Sequence, residues 1–172
     1  MNLKPELRAE FIRHAELEIA NGVYYLQAYS ILRATGWEGF SKIFKNDAAD
    51  EFGHAQNWIK YLARRLDVWT PSAFEVASFP KIMADSENGP VSSLFQFREE
   101  REVETRDSME VVADLANSSR DEAALQWVTE RLVDQELEAK KAIDLSLRIE
   151  GMAKTPGMLD EYDDTLERKG LK

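Results

Sequence analysis

Residues 50–62 read DEFGHAQNWIKYL and combine acidic side chains, one histidine and large apolar side chains at helical spacing. Glu51 and Trp58 are one heptad apart, so they share one stripe of a helix, and Leu62 continues that stripe. His54 follows Glu51 by three positions, which turns both side chains to the same side of the helix. This pattern predicts a polar site on the face of a helix that is otherwise apolar.

Three other helical segments repeat the pattern, each with one polar residue between apolar residues one heptad before and after. These polar residues are Glu18, Glu102 and Gln135, and Glu138 follows Gln135 by three positions. An ionised carboxylate buried alone is strongly destabilising, so it must be paired, protonated or bound to a metal. We find no lysine or arginine on the same stripes near these carboxylates, and the simplest partner is therefore a cation.

The ligand types indicate which cation. Four carboxylates (Glu18, Glu51, Glu102 and Glu138) would balance the charge of two divalent ions, with His54 as the single nitrogen ligand. Oxygen-rich ligation of this kind suits Fe²⁺ or Mn²⁺ better than a structural zinc ion.

Other roles for the polar residues stay open at this stage. Glu99 lies one turn before Glu102 and competes with it as the ligand from the third helix. Gln135 is expected to act more through hydrogen bonds beside a metal than as a strong ligand. Tyr25 can be an ordinary core tyrosine, and His14, on the same face as Glu18, is expected to be structural.

The apolar spacing predicts an all-α chain. The connection between the second and third helices, residues 67–89, is long enough to cross a bundle from end to end. This predicts an up-down-down-up four-helix bundle with one long crossover. Residues 1–152 are then a four-helix bundle domain, and residues 153–172 form a tail with a short fifth helix. The helices are expected from Pro5 to just before Gly36, over 38–66, over 90–116 and, after a break at 117–119, to about Gly151, with the crossover at 67–89.

Composition excludes several classes of partner. The chain has 22 basic and 32 acidic residues and a net charge of −10, which argues against nucleic acid or an anionic membrane surface as partner. It has no cysteine, which removes disulfides, thiolate metal sites and thiol nucleophiles. There is no long apolar run for a membrane span and no apolar segment typical of a secretory signal near the start. A cytoplasmic location is expected.

These motifs, taken together and in order, resemble the bacterial non-haem ferritins over nearly the whole chain. Glu18 and Tyr25 lie in ELEIANGVYYL, and Glu51 and His54 follow in DEFGHAQNWIKYL. Glu102 comes next, and then Asp134 and Gln135. The tail TPGMLDEYDDTLER resembles the short last helix of that family.

The resemblance implies a homo-oligomeric shell of 24 subunits with a di-iron ferroxidase centre inside each subunit. Asp50 and Asp134 fall where relatives hold a third, transit iron, but Leu137 replaces a glutamate that is usual there. Phe52 stands where haem-binding relatives carry methionine, so no haem is expected. The first iron site is implied to consist of Glu18, Glu51, His54 and Glu102, and the second of Glu51, Glu102 and Glu138 with Gln135 beside it.

The activity implied is oxidation of Fe(II) to Fe(III) by dioxygen or hydrogen peroxide, followed by storage of ferric mineral in the shell. Glu18, Glu51 and His54 would hold the reacting iron, and Tyr25 would hydrogen-bond its ligands or supply an electron. The alternative is a di-iron oxygenase or peroxidase of rubrerythrin type that stores no iron. A miniferritin that protects DNA and a helical adaptor without metal are further rivals.

Overall fold

The computed structural model describes residues 2–70 and 90–169, and within these ranges all regular structure is helical. This confirms the predicted all-α fold with four long helices and a short fifth one. Each helix of residues 2–70 and 90–169 is too short or too polar to span a bilayer. The helices are α1 (Pro5–Ala34), α2 (Glu38–Arg64), α3 (Val91–Ser118), α4 (Glu122–Ala153) and α5 (Met158–Lys169).

Contacts between the helices give their directions. His14 of α1 contacts Ser108 of α3, and Tyr25, further along α1, contacts Glu102, which lies earlier in α3, so these helices are antiparallel. Phe11 and Tyr25 contact Trp58 and Phe44 in the same reversed order, so α1 and α2 are antiparallel as well.

The middle helices run in the same direction. Asp47 of α2 contacts Arg98 of α3, and Arg65 and Asp121, which follow these two helices, contact each other. Because only a short turn separates α3 from α4, these two form an antiparallel hairpin, and the order is up-down-down-up, as predicted. Residues 71–89 of the predicted crossover lie outside the described residues.

The ends of the first three helices are each closed by a residue in the left-handed region. Gly36 (φ 88°) follows α1 as predicted, and Leu66 (φ 60°) and Arg120 (φ 57°) take the same place after α2 and α3. The break between α3 and α4 begins later than the predicted 117–119. The reason is that Asp121 caps α4, its carboxylate accepting from the Ala124 N–H at 3.1 Å.

The core consists of two apolar clusters separated along the bundle axis. One includes Phe11 and Trp58, whose ring centroids are 5.0 Å apart, and the other includes Phe44 and Phe95 at 4.9 Å. The four polar residues predicted to face inward are all buried at the level between these clusters: Glu18, Glu51, Glu102 and Gln135.

Helix α5 is fastened to the start of α2 by a buried carboxylate. Asp163 is 5% exposed and accepts a hydrogen bond of 2.6 Å from the backbone N–H of Phe40. This places a negative charge at the N-terminus of α2, where the helix dipole stabilises it. Gly39 makes the approach possible, because a side chain there would overlap the backbone oxygen of Asp163.

We therefore expect Gly39→Ala to weaken the docking of α5. The added methyl group has to displace the Asp163 backbone, which should lower the free energy of unfolding by about 1–3 kcal/mol. Urea unfolding at fixed protein concentration measures the change. Gly151→Ala is the matched control, since Gly151 is also helical but faces open space, and it should raise stability by up to about 1 kcal/mol. Equal shifts in the two variants would contradict this account of α5.

Candidate metal centre

Glu18 of α1 and Glu51 and His54 of α2 bring one ligand atom each within 4.8 Å of one another. Both carboxylates are buried, and His54 is partly buried. Oε2 of Glu18 and Oε2 of Glu51 are buried without a hydrogen-bond partner. Two buried carboxylate oxygens without donors, beside an imidazole nitrogen, form a group that could hold a metal ion, because a cation would satisfy both at once.

The second oxygen of Glu18 is already engaged. His14 lies with Nε2 at 2.9 Å from Glu18 Oε1, whereas His54 Nδ1 is 3.7 Å from Oε2. The two histidines of the chain therefore contact opposite oxygens of one carboxylate.

Glu102 of α3 is buried and hydrogen-bonded at both oxygens. The Tyr25 hydroxyl donates to Oε1 at 2.7 Å, and the Gln135 amide donates to Oε2 at 2.9 Å. The inward carboxylate of α3 is thus Glu102, while Glu99, its rival on that helix, lines neither cavity beside the site. Gln135 acts here as a donor to Glu102, the kind of role expected for it.

Two cavities adjoin the buried carboxylates. One, of about 230 Å³, is lined by Glu18, His54, Asp134, Gln135 and Glu138 together with apolar Trp58 and Met109, and also by Asn57 and Arg131. The other, of about 170 Å³, is lined by Asp50, Glu51, His54, Glu102 and Glu138, and also by Asp47, Arg98 and Lys141. Every predicted metal residue therefore borders at least one cavity, and His54 and Glu138 border both.

The third iron site implied by the resemblance is less complete. Asp50 and Asp134 line different cavities, and the Leu137 side chain, where a carboxylate would help to join them, is 52% exposed. A metal role for Asp50 and Asp134 stays a prediction.

The expectation that no lysine or arginine lies near these carboxylates on the same helical stripes was wrong. Arg98 precedes Glu102 by one helical turn and lines the smaller cavity. It donates to the carboxylate of Asp47 from Nε at 2.7 Å and from Nη2 at 3.4 Å, and Asp47 itself precedes Glu51 by one turn. The spacing of four in both helices was the signal for this pair. Because Arg98 is paired with Asp47, it does not compensate the charge of the candidate metal carboxylates.

Burial and mutual repulsion set the protonation of the site. Burial alone would raise the pKa of Glu18, but the adjoining Glu51 carboxyl group and then the two histidines hold that pKa well below its usual range. Burial, and then the charge of Glu18, raises the pKa of Glu51 well above its usual value. The contact with Glu18 raises the pKa of His54 to about 9 although burial opposes the shift. Without a metal, protons hold these charges together.

The chain belongs to the ferritin-like domain family, because residues 12–150 match the model of that family. Its fold is similar to an open-pore ferritin of the archaeon Archaeoglobus fulgidus, with a TM-score of 0.84, 19% identity and coverage of 96% of this chain and 98% of that one. The fold is also similar to an engineered closed form of the A. fulgidus ferritin, with a TM-score of 0.83, 19% identity and coverage of 96% of each chain. For an iron-soaked PmFTN variant the TM-score is 0.85 at 21% identity, with coverage of 93% of this chain and 98% of that one. The predicted ferritin family is confirmed.

A comparison with curated protein sequences gave no match. At identities of 19–21% the structural likeness concerns the fold. The chemistry of this chain is therefore argued from its own residues.

The protonation of the site predicts that divalent metal binding releases protons. At pH 7 the imidazole of His54 is protonated, since its pKa is about 9, and it has to lose that proton before its nitrogen can bind a metal ion. The affinity for Zn²⁺ should therefore rise from pH 6 to 8, by about tenfold per pH unit for each proton displaced. Calorimetry in two buffers of different ionisation enthalpy counts the protons. In His54→Gln, fewer protons should be released. An affinity that stays constant over this pH range would contradict the assignment.

Proposed function

We propose that this protein is an iron-storage ferritin with ferroxidase activity. The observation that carries the proposal is the pair of buried, unpartnered oxygens of Glu18 and Glu51 beside His54. Fe²⁺ is the substrate, and its charge takes the place of the protons that these groups hold in its absence. The membership of the ferritin-like family supports iron as the metal.

In the proposed reaction, two ferrous ions each lose one electron, and one dioxygen molecule takes both electrons and two protons to form hydrogen peroxide. Hydrogen peroxide can serve as the oxidant in a further cycle. Carboxylate ligands favour this direction because hard, negative oxygens stabilise Fe³⁺ more than Fe²⁺. The first ion would lie between Glu18, Glu51 and His54, and the second toward Glu102 and Glu138.

Tyr25 and Gln135 would control the second position. Both donate to Glu102, so an ion that binds there has to compete with the Gln135 amide for Oε2. Tyr25 is buried and lies against the ligand itself, which suits a group that orients Glu102 or supplies an electron. Gln135 holds an ion less firmly than a carboxylate would, which favours turnover of iron over permanent retention.

Storage would follow in a shell of 24 copies of the chain. The docked α5 supports this, because a rubrerythrin-type enzyme would need neither a short fifth helix nor a shell. The net charge of −10 per chain would attract Fe²⁺ and favour ferric mineral on an acidic surface. Residues 1–152 would form the iron-oxidising bundle and 153–172 the tail. The cytoplasmic location stays a prediction.

Ferrous oxidation tests the site directly. Glu51→Gln keeps the size of the side chain but removes the charge shared by both ions, so the initial rate of Fe²⁺ oxidation should fall at least about tenfold. The rate of Glu102→Gln should fall by a similar factor. The control is Glu99→Gln, on the same helix but away from both cavities, which should keep the wild-type rate within about twofold. Equal rates in wild type and Glu51→Gln would instead favour a helical adaptor that binds no metal.

The mass of the particle separates storage from the rubrerythrin-type alternative. Twenty-four chains of 19.7 kDa give a particle of about 470 kDa. Light scattering coupled to gel filtration should find this mass, and electron microscopy should find a dense core after aerobic loading with Fe²⁺. A monomer or dimer that oxidises iron without forming a core would support the di-iron oxygenase or peroxidase.

A further inference from the structure

The second histidine of the chain contacts the candidate site, although the sequence gave it only a structural role. His14 is fully buried in α1, one turn before Glu18. Its Nε2 lies 2.9 Å from Glu18 Oε1, and its Nδ1 lies 2.8 Å from the hydroxyl of Ser108 in α3. The ring also packs on Trp58, with centroids 4.0 Å apart, which fixes its plane.

The Glu18 carboxylate decides which nitrogen of His14 carries the hydrogen. A carboxylate oxygen can only accept, so His14 Nε2 carries the hydrogen and donates it to Glu18 Oε1. In the neutral ring Nδ1 is then the acceptor, and it takes the hydroxyl hydrogen of Ser108. Arg13 donates from Nη2 to Ser108 Oγ at 3.0 Å, so the serine oxygen is engaged as well. The hydrogen bonds form a series from Arg13 through Ser108 and His14 to Glu18.

This series leaves Glu18 with one free oxygen. Oε1 is occupied by His14, whereas Oε2 is buried, has no hydrogen-bond partner and faces His54. We infer that His14 is a positioning residue, which holds Glu18 so that the first metal ion binds one of its oxygens only. This inference rests on the proposed function. The coordination position that a two-oxygen Glu18 would fill then stays open for water or the oxidant.

Alternative explanations for His14 fit less well. A histidine that only filled space would bury two ring nitrogens that each need a hydrogen-bond partner, and an apolar residue of similar size would avoid that need. Here both ring nitrogens are paired, and one partner is a predicted ligand. Groups that hydrogen-bond to metal ligands commonly fix the orientation of the ligand, and their loss weakens metal binding by about 10- to 100-fold.

Cobalt binding tests the inference without iron oxidation. In His14→Leu, both oxygens of Glu18 become available, so Co²⁺ should gain a ligand atom and its visible absorption should weaken toward that of a six-coordinate ion. The dissociation constant for Co²⁺ should rise about 10- to 100-fold. His14→Gln, whose amide can donate to Glu18 and accept from Ser108, should restore the spectrum and most of the affinity.

Two serine variants form a matched pair. Ser108→Ala removes the donor to His14 Nδ1 and should weaken Co²⁺ binding about tenfold. Ser146→Ala removes another buried serine, in α4 and lining neither cavity, and should leave binding unchanged. Circular dichroism and particle mass should match the wild type in all variants that are compared.

The outcomes are distinct for the two proposals. If wild type fails to bind Co²⁺ at Glu18, Glu51 and His54, the proposed function falls and this inference falls with it. If wild type binds Co²⁺ and His14→Leu, folded and assembled, keeps the same spectrum and dissociation constant, only the positioning role is overturned. A loss in His14→Leu that His14→Gln does not restore also overturns it, since packing alone would then explain the effect.

Discussion

The structure depends on two carboxylate oxygens, one of Glu18 and one of Glu51, that are buried close together without a donor. Like charges this near in a poorly solvated place cannot both persist unless a proton or a cation lies between them. The apolar clusters above and below this level keep the carboxylates buried, and the histidines that contact Glu18 supply part of the compensation. Packing and electrostatics therefore act together, and the core creates a requirement for positive charge that a metal ion could meet.

The candidate site has two parts, which differ in whether their ligand atoms are free of hydrogen bonds to other side chains. Glu18, Glu51 and His54 have ligand atoms available in the metal-free protein. Glu102 has both oxygens occupied by Tyr25 and Gln135. An ion bound at the first group would displace protons, whereas an ion bound at Glu102 would also have to break a hydrogen bond between side chains. This difference comes from the Tyr25 hydroxyl and the Gln135 amide, which donate to Glu102.

The ends of the helices are held by charges as well. Arg65, which follows α2, binds the carboxylate of Asp121 at 2.6 Å, and Asp121 also caps the start of α4. Asp163 of α5 occupies the start of α2 in the same manner. A negative charge at a helix N-terminus is stabilised by the dipole, so these contacts fix the positions of the helices relative to one another. The register that brings Glu18, Glu51 and Glu102 to one level depends on such fixed ends.

Much of the fold and of the candidate site could be predicted from local sequence patterns. Heptad spacing identified Glu18, Glu51, Glu102 and Gln135 as inward-facing, because helical periodicity alone determines which side chains share a face. Helix limits were predicted where the signal is local, as at Pro5 and Gly36. The limit was misplaced near residue 119, because a non-glycine residue, Arg120, adopts the left-handed conformation there and Asp121 caps the next helix.

What the sequence by itself determined is thus the class of fold, the stripe on which each polar residue lies and the balance of charge that calls for cations. Only the tertiary structure decided how those residues are paired. It placed Arg98 against Asp47, Gln135 against Glu102, and His14 between Ser108 and Glu18. The physical reason is that periodicity specifies direction around one helix axis, whereas a hydrogen bond between helices depends on their relative register and rotation, which the packing of the whole bundle sets.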